Sequence, residues 1–315
     1  MSSVNAQAQA KPQVVFDKPP LTFEAQLNKL HERGMQFDDR ARAESLLARL
    51  NYYRLTAYWF PFYADAQGTE FLPDTCFETV IAHYEFDRQL RLLMLDAIER
   101  FEVALRTQFA YHIAHELGSF EHENEKHFWN RNRYRKCRAS LNAELDRSKE
   151  TFLQHYKRKY SEPATPPVWM ACEVMSLGLL STLFSLLKRR PIRQKIAQDF
   201  GVDETILASF SHHISVVRNL CAHHSRLWNR KLTVRVKLPK PGVNDALSHR
   251  LNAEAEAKVF NTIVMLDYFL LQISHDHSWA ARVIELIEGY PQIDVQRMGF
   301  PADWRERLES EPSLL

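Results

Sequence analysis

The feature that most constrains this chain is the run from Phe77 to Leu117, which contains neither glycine nor proline. Within it Leu90, Leu93, Ile98, Phe101, Leu105 and Phe109 recur at spacings compatible with one buried helical stripe. Glu102 and Arg106, four residues apart, are placed to pair on that helix. A helix this long is the expected backbone of the N-terminal half, and the other elements must pack around it. Only 8 of the 315 residues are glycine, which fits long helices with few tight turns, because glycine mainly serves turns, caps and bulges. The expected fold is all-α: a helical N-terminal half followed by a helical bundle, with at most a short β element near residues 232–238. There Leu232, Val234, Val236 and Leu238 alternate with Thr233, Arg235 and Lys237 before Pro239.

Residues 1–20, polar and ending in Pro19-Pro20, read as a disordered leader. Thr22 is expected to cap a helix to about Arg33, and Asp38 or Asp39 to start another running to Leu50. In the aromatic segment Leu50–Tyr63, Tyr52, Leu55, Tyr58 and Trp59 share a helical face. Such a stripe could stack bases, but core packing is the commoner use and is the reading taken. Ser161–Pro167 holds three prolines in seven residues and is the expected internal boundary. The division is therefore a helical N-terminal domain over 21–160, a second helical domain over 161–290, and a tail over 291–315. Val168–Leu187 reads as one apolar helix carrying a buried-looking acid, Glu173. Asp203 caps a helix from Glu204 to Val217, and a last long helix spans about Ala253 to Ile273.

The totals exclude several functions. A net charge of +2 predicts no nucleic-acid partner by itself, so that case must come from local clusters. The four cysteines lie at least 35 residues apart with no CxxC pair, which leaves a zinc knuckle or thioredoxin motif unsupported. The N-terminus lacks the apolar core of a signal peptide. Val259–Ile273, the most apolar later run, is interrupted by Asn261, Asp267 and Gln272. The expectation is a cytoplasmic protein without membrane contact. His112-x-x-His115-Glu116 has the wrong order for a metalloprotease helix.

The densest polar chemistry lies in Arg218–Arg230, where thirteen residues hold three arginines, two histidines, two asparagines and a tryptophan. Arginine grips phosphate with a rigid fork of donors, and histidine moves protons near neutral pH. Together they can cut a phosphodiester without a metal. A base takes the proton of a ribose 2′-hydroxyl, an acid protonates the leaving 5′-oxygen, and a cation steadies the crowded phosphorus. Four histidines (212, 213, 223 and 224) fall within thirteen residues, but on one helix His212 and His223 would stand ~16 Å apart, too far for one ion. No GxSxG elbow accompanies Ser225. On an ideal helix Arg218 and His223 sit roughly 140° apart, so they converge only if the helix ends or kinks there, or if two copies face each other. The competing reading is structural: a hydrogen-bonded polar cluster that holds Trp228. A second basic region, Arg131, Arg133, Arg135, Lys136 and then Lys157, Arg158 and Lys159, is interleaved with Trp129, Tyr134, Tyr156 and Tyr160. Cations and rings together suit an RNA groove, though a charge run is usually a solvated face.

Arg218-Asn219 with His223 resembles the Arg-x(4–6)-His signature of the HEPN superfamily of ribonucleases. The longer string RNLCAHHSRLWNR is similar to the Abi-like abortive-infection family of bacteria (AbiD/AbiF type). Supporting matches are LNYYRLTAYWFPF at 50–62, YEFDRQLRLLMLDAIERFEVALRT at 84–107 and WMACEVMSLGLLSTLF at 169–184. The resemblance covers roughly residues 22–275. It implies a HEPN bundle for the second half, a metal-independent endoribonuclease of phage defence or toxin type, no cofactor, and a composite site formed by two facing motifs. It implies Arg218 on the phosphate, His223 as acid and base, and Asn219 orienting them. His224, Arg226 and Asn229 match the family string without assigned jobs, and Glu173 matches an acidic position that would orient the site. Arg106 and His112 also have the bare spacing but lack the following asparagine, so the composite site points to a homodimer. The expected partners are an RNA substrate, a second copy and a cognate antidote, RNA or protein. The alternative is a non-catalytic RNA-binding or sensor module of a defence or toxin–antitoxin system.

Overall fold

A computed structural model describes residues 17–240, 242, 244–274 and 278–310. Most of the expected leader, residues 1–16, lies outside the described residues. Those described are all-α, with fourteen α-helices and no strand. The chain divides into two compact units, one ending at Ile81 and the other beginning at Ala82.

In the first unit the capping chemistry falls where the sequence puts it. Thr22 Oγ1 accepts the Ala25 N–H at 3.2 Å and opens α1 (Phe23–Glu32). Asp39 Oδ1 accepts the Arg42 N–H at 2.9 Å and opens α2 (Arg40–Leu47). Asn51 does the same for α3 (Tyr52–Trp59), which continues into a single 3₁₀ turn, Phe60–Phe62. Each cap satisfies a backbone donor that the helix cannot. Leu27, Leu30, Leu47, Leu55, Tyr58 and Trp59 are buried, so the aromatic stripe is core, as its spacing suggests. Tyr53, off that stripe, is exposed.

The long uninterrupted run is one helix, α4 (Phe77–Glu116). Leu90, Ile98, Phe101, Leu105 and Phe109 are all buried on it, with Leu93 half-buried. Arg106 pairs with Glu102 as the spacing predicts, and also donates to the Cys172 carbonyl. After it the second unit contains α5 (Arg131–Arg147), α6 (Thr151–Lys159), α7 (Val168–Val174), α8 (Leu177–Leu186), α9 (Arg190–Gln198), α10 (Glu204–Ala222), α11 (Asp245–Ser248), α12 (Val259–Ser274), α13 (Ser278–Glu288) and α14 (Trp304–Glu309). Phe101 on α4 packs against Phe200, Phe210 on α10 and Phe269 on α12, with ring centroids 5.4, 5.2 and 5.4 Å apart. That is the range in which edge-on and tilted rings attract. Every residue of α12 from Val259 to Leu271 is buried. Its polar members are paired: Asn261 with Asn252, Thr262 with His213, and Asp267 with Arg250. A helix buried all round loses its amphipathic pattern, and buried polar groups must find partners.

The structure corrects three sequence expectations and decides a fourth. Val168–Leu187 is two helices, because Met175–Ser176 breaks the run: Ser176 Oγ accepts from Leu179 N at 3.3 Å, and the Ser176 N–H donates to Glu144 at 3.1 Å. Glu173 is exposed on α7, not buried. Residues 232–238 form no strand, which lies within the expectation of at most a short β element there. Leu232 and Val236 are buried and Thr233, Arg235 and Lys237 exposed, so the alternation is real, but the neighbours are helices. The backbone bonds to the Ala257 carbonyl, the His213 ring and the Ser209 hydroxyl instead of to a partner strand. The last long helix starts at Val259, after a 3₁₀ turn capped by Asn252. The proline-rich stretch 161–167 joins α6 to α7 inside the second unit, where the Tyr156 hydroxyl donates to the carbonyls of Pro163 and Thr165. Among the described residues no helix is long and apolar enough to cross a membrane.

Candidate active site

Asp203 opens α10 by accepting the Thr205 N–H at 2.8 Å. The helix buries Ile206, Leu207, Phe210, Ile214, Val217 and Cys221, and its last turn leaves Arg218 and Asn219 exposed. It stops at Ala222. His223 is the cap, with φ −89° and ψ 14°, and His224 turns left-handed at φ 56°. Two bonds close the end, Ser225 N to Leu220 O at 2.8 Å and His224 N to Cys221 O at 3.0 Å. This six-to-one and five-to-two pattern ordinarily takes glycine at the left-handed position, because a Cβ is crowded there. Here a histidine holds it. The helix therefore ends where Arg218 and His223 need it to.

The turn is anchored from α4. Asp87 and Arg91 form an ion pair at 3.0 Å with side chains 0% and 5% exposed. Asp87 Oδ1 accepts the N–H groups of Leu227 at 2.9 Å and Trp228 at 2.5 Å. Arg91 Nη1 donates to the carbonyls of His224 and Ser225, both at 3.2 Å. Four backbone groups of the loop are thus satisfied by one buried pair, and in a low-dielectric interior such bonds hold geometry firmly. Leu227 and Trp228 are buried, with Trp228 edge-on to the buried His83 at 4.6 Å. Arg226 lies over the Trp228 ring at 5.9 Å, a cation–π distance. Asn229, left-handed at φ 48°, accepts from Lys258 Nζ at 3.3 Å, and Arg230 donates to the Arg226 carbonyl at 3.2 Å.

Arg218, Asn219, His223 and His224 are thus gathered at one exposed helix end, whereas Arg226 and Asn229 are half-buried in the loop beneath. Arg218 reaches the Asn219 side chain at 3.4 Å and makes no hydrogen bond to His223. Glu173 bonds to none of them. His213 is structural, its two ring nitrogens meeting the Val234 carbonyl at 2.6 Å and the Thr262 hydroxyl at 2.8 Å. Burial holds that imidazole below its ordinary pKa. Arg106 is occupied by Glu102 and Cys172, and His112 lies 4.0 Å from Asp199. Among the described residues, the group of side chains close enough to share an ion is Asp38, Cys76 and Glu78, not the four histidines. Its Glu78 carboxylate accepts the Cys76 thiol at 2.7 Å and the backbone N–H groups of Asp38 and Asp39 at 3.3 and 3.4 Å, and burial pushes the thiol pKa up.

The basic region is partly neutralised. Arg135 makes two bonds to Glu125, at 3.0 and 3.3 Å, and Arg131 stands 3.9 Å from the same acid. Arg133 and Lys136 are exposed on α5 and form no ion pair among the described residues. Lys157 donates to the Leu145 carbonyl at 3.0 Å, Arg158 to the Gln154 carbonyl at 3.3 Å, and Lys159 lies over Tyr160 at 5.3 Å. The residues that sequence reasoning missed are Asp87, Arg91 and Lys258. For the first two a signal existed: opposite charges four apart, embedded in a stripe of core positions, must be paired when buried.

No curated protein and no solved structure matches the chain. The sequence model of a family described as Abi-like protein matches residues 45–229, more than half of the 315 residues. That span takes in Asp87, Arg91 and the whole helix end from Arg218 to Asn229. The chain belongs to the Abi-like protein family.

Proposed function

We propose that this chain is a metal-independent endoribonuclease of phage defence, cutting RNA by attack of a ribose 2′-hydroxyl at the Arg218–His223 helix end. Its family points to abortive infection as the setting. The observation that carries the reading is the contrast within one turn. The backbone from His224 to Trp228 is fixed by the buried Asp87–Arg91 pair, while Arg218, Asn219, His223 and His224 stay exposed. A purely structural cluster would bury those polar groups; here the supporting pair is buried and Arg218, Asn219 and His223 face outward. Preorganised polar groups on a fixed base are what electrostatic and acid–base catalysis require.

In the reaction, a His223 imidazole takes the 2′-hydroxyl proton as the oxygen bonds to phosphorus, and the 5′-oxygen leaves with a proton from a second acid. Arg218 offers paired N–H donors to the phosphoryl oxygens, and Asn219 orients the Arg218 guanidinium. The products are a 2′,3′-cyclic phosphate and a 5′-hydroxyl. One chain supplies one His223, and Arg218 does not bond to it, so a second copy facing the first supplies the remaining proton carrier in a homodimer. Arg133 and Lys136, with the Arg131, Arg135 and 157–159 cations, would take the rest of the strand. A cognate antidote, RNA or protein, would restrain the activity in an uninfected cell.

The test is the chemistry of the cut. Purified protein incubated with RNA in EDTA should leave cyclic phosphate ends, and should not cut the same strand with 2′-deoxyribose at the cleavage position. Linear 3′-phosphate or 5′-phosphate ends as primary products, or cutting of the deoxy strand, would refute attack by the 2′-hydroxyl. Stable RNA binding with no cutting would favour a non-catalytic sensor.

A further inference from the structure

The outward side of α4 is not uniformly polar. Tyr84, Arg88, Leu92, Leu95, Glu99 and Val103 recur along it at steps of four, four, three, four and four residues, which keeps them on one side of the helix over ~28 Å. The stripe lies wholly within the second unit. Leu92 is 52% and Val103 53% exposed, Arg88 and Glu99 are exposed, and Tyr84 and Leu95 are half-buried. Charges bordering the stripe are already paired within the chain. Asp96 meets Arg100 at 3.0 Å and Arg282 at 2.9 Å, and Arg106 holds Glu102. Arg88 and Glu99 differ: among the described residues neither side chain has a hydrogen bond or an ion pair.

The steps read the same from either end, and the residues mirror in kind: leucine with leucine, arginine with glutamate, tyrosine with valine. A two-fold contact has this form, because residue i of one copy meets j of the other and j meets i. We infer that the stripe pairs with itself in a second copy of this chain, the two α4 helices running antiparallel about an axis between Leu92 and Leu95. Leu92 of each copy packs on Leu95 of the other, Tyr84 on Val103, and Arg88 meets Glu99 twice per dimer. This self-complementary charge favours a second copy over an unrelated helix, and it fixes the direction. Parallel helices in register would set Arg88 on Arg88 and Glu99 on Glu99, which repel. The inference rests on the ribonuclease reading for what the pairing achieves. Arg91, which holds the His224 and Ser225 carbonyls, lies about 100° round the helix from Leu92. A two-fold axis at right angles to the helices therefore carries both Arg91 residues to the same side of the pair, about 7.5 Å apart along the helices. The two His223 ends then flank one axis.

Arg88→Glu and Glu99→Arg test the register by charge reversal without disturbing the fold, since both side chains are exposed. The dimer dissociation constant of the full chain is read by analytical ultracentrifugation without RNA. Each single reversal sets like charges against each other and should weaken the dimer at least about tenfold. The double variant, carrying both reversals, should return to within about threefold of the wild type. A double variant as weak as the singles, or single variants that pair like the wild type, would overturn the face. So would a wild type that stays monomeric, which would give the stripe to another partner. RNA cleavage by the same proteins separates this face from the catalytic reading: cleavage per chain should fall in the single variants and return in the double. Dimers indifferent to the reversals, with cleavage still requiring His223, would sink the face alone. Dimers that break and recover as expected, with no RNA cut by the wild type, would leave the face standing and sink the catalytic reading.

Discussion

Among single residues, His224 and the buried Asp87–Arg91 pair decide how the helix end is held. A left-handed non-glycine residue costs about 1–2 kcal/mol relative to glycine, and His224 occupies such a position at the end of α10. His224→Gly should therefore raise unfolding stability, by about 1 kcal/mol in urea or thermal denaturation. A variant that is less stable would show that the ring itself is a structural support. Asp87→Ala should do the reverse, costing about 3–5 kcal/mol, because it leaves Arg91 charged, buried and unpaired. It also strands the Leu227 and Trp228 N–H groups. The conservative Asp87→Asn keeps an oxygen for those donors, so hydrogen exchange at Leu227 and Trp228 should stay slower than in Asp87→Ala. Equal exchange in the two would remove the anchoring role.

At the scale of elements, what the sequence made legible is what local chemistry decides. Thr22, Asp39 and Asp203 are caps because a short oxygen-bearing side chain before an apolar period satisfies the first N–H groups whatever the tertiary fold. The α4 stripe is legible for the same reason. The break at Met175–Ser176 is not, since no glycine or proline marks it and half its support comes from Glu144, thirty-two residues away. Nor is the fate of 232–238. Alternation specifies which side chains go in, but a strand exists only if another strand lies beside it, and that is non-local. Arg189-Arg190-Pro191 reads as the end of one helix and is also the start of the next, with Pro191 in the first turn of α9, where its missing N–H costs nothing. For the site, Arg218, Asn219 and His223 stand out by composition, whereas Asp87 and Arg91 matter through the backbone of a loop 133 to 141 positions further on.

The charged segment before α5 carries a pH prediction. His122 is buried, with neither ring nitrogen hydrogen-bonded among the described residues, and burial together with the Arg138 charge lowers its pKa to about 4. The unfolded chain, near the usual 6.5, takes up the proton first as pH falls. Stability is therefore fully present above about 6.5 and drops through the window down to about 4. The His122 contribution to that drop is about 3 kcal/mol, at 1.36 kcal/mol per pH unit. Replacing His122 by Phe should flatten the stability–pH curve between those limits. An unchanged slope would place the acid sensitivity elsewhere.

At the scale of the whole molecule, a single chain offers one exposed helix end, with one His223 and one Arg218 that do not bond to each other. Two proton carriers are needed; with the second supplied by the His223 of a partner copy rather than by the neighbouring His224, activity should depend on pairing. Specific cleavage rate should fall on dilution as dimers dissociate, while RNA binding by each chain persists. A rate per chain that is constant down to concentrations where the protein is monomeric would place the whole site in one copy. The most direct measurement of the central claim is RNA cleavage by His223→Ala beside the wild type, at matched concentration and folding, with sequencing of the cut ends. The wild type should cut at discrete sites ending in cyclic phosphate, and the variant should lose at least about a hundredfold, the usual worth of a positioned acid–base group. The same sites cut at the same rate by His223→Ala would contradict that claim.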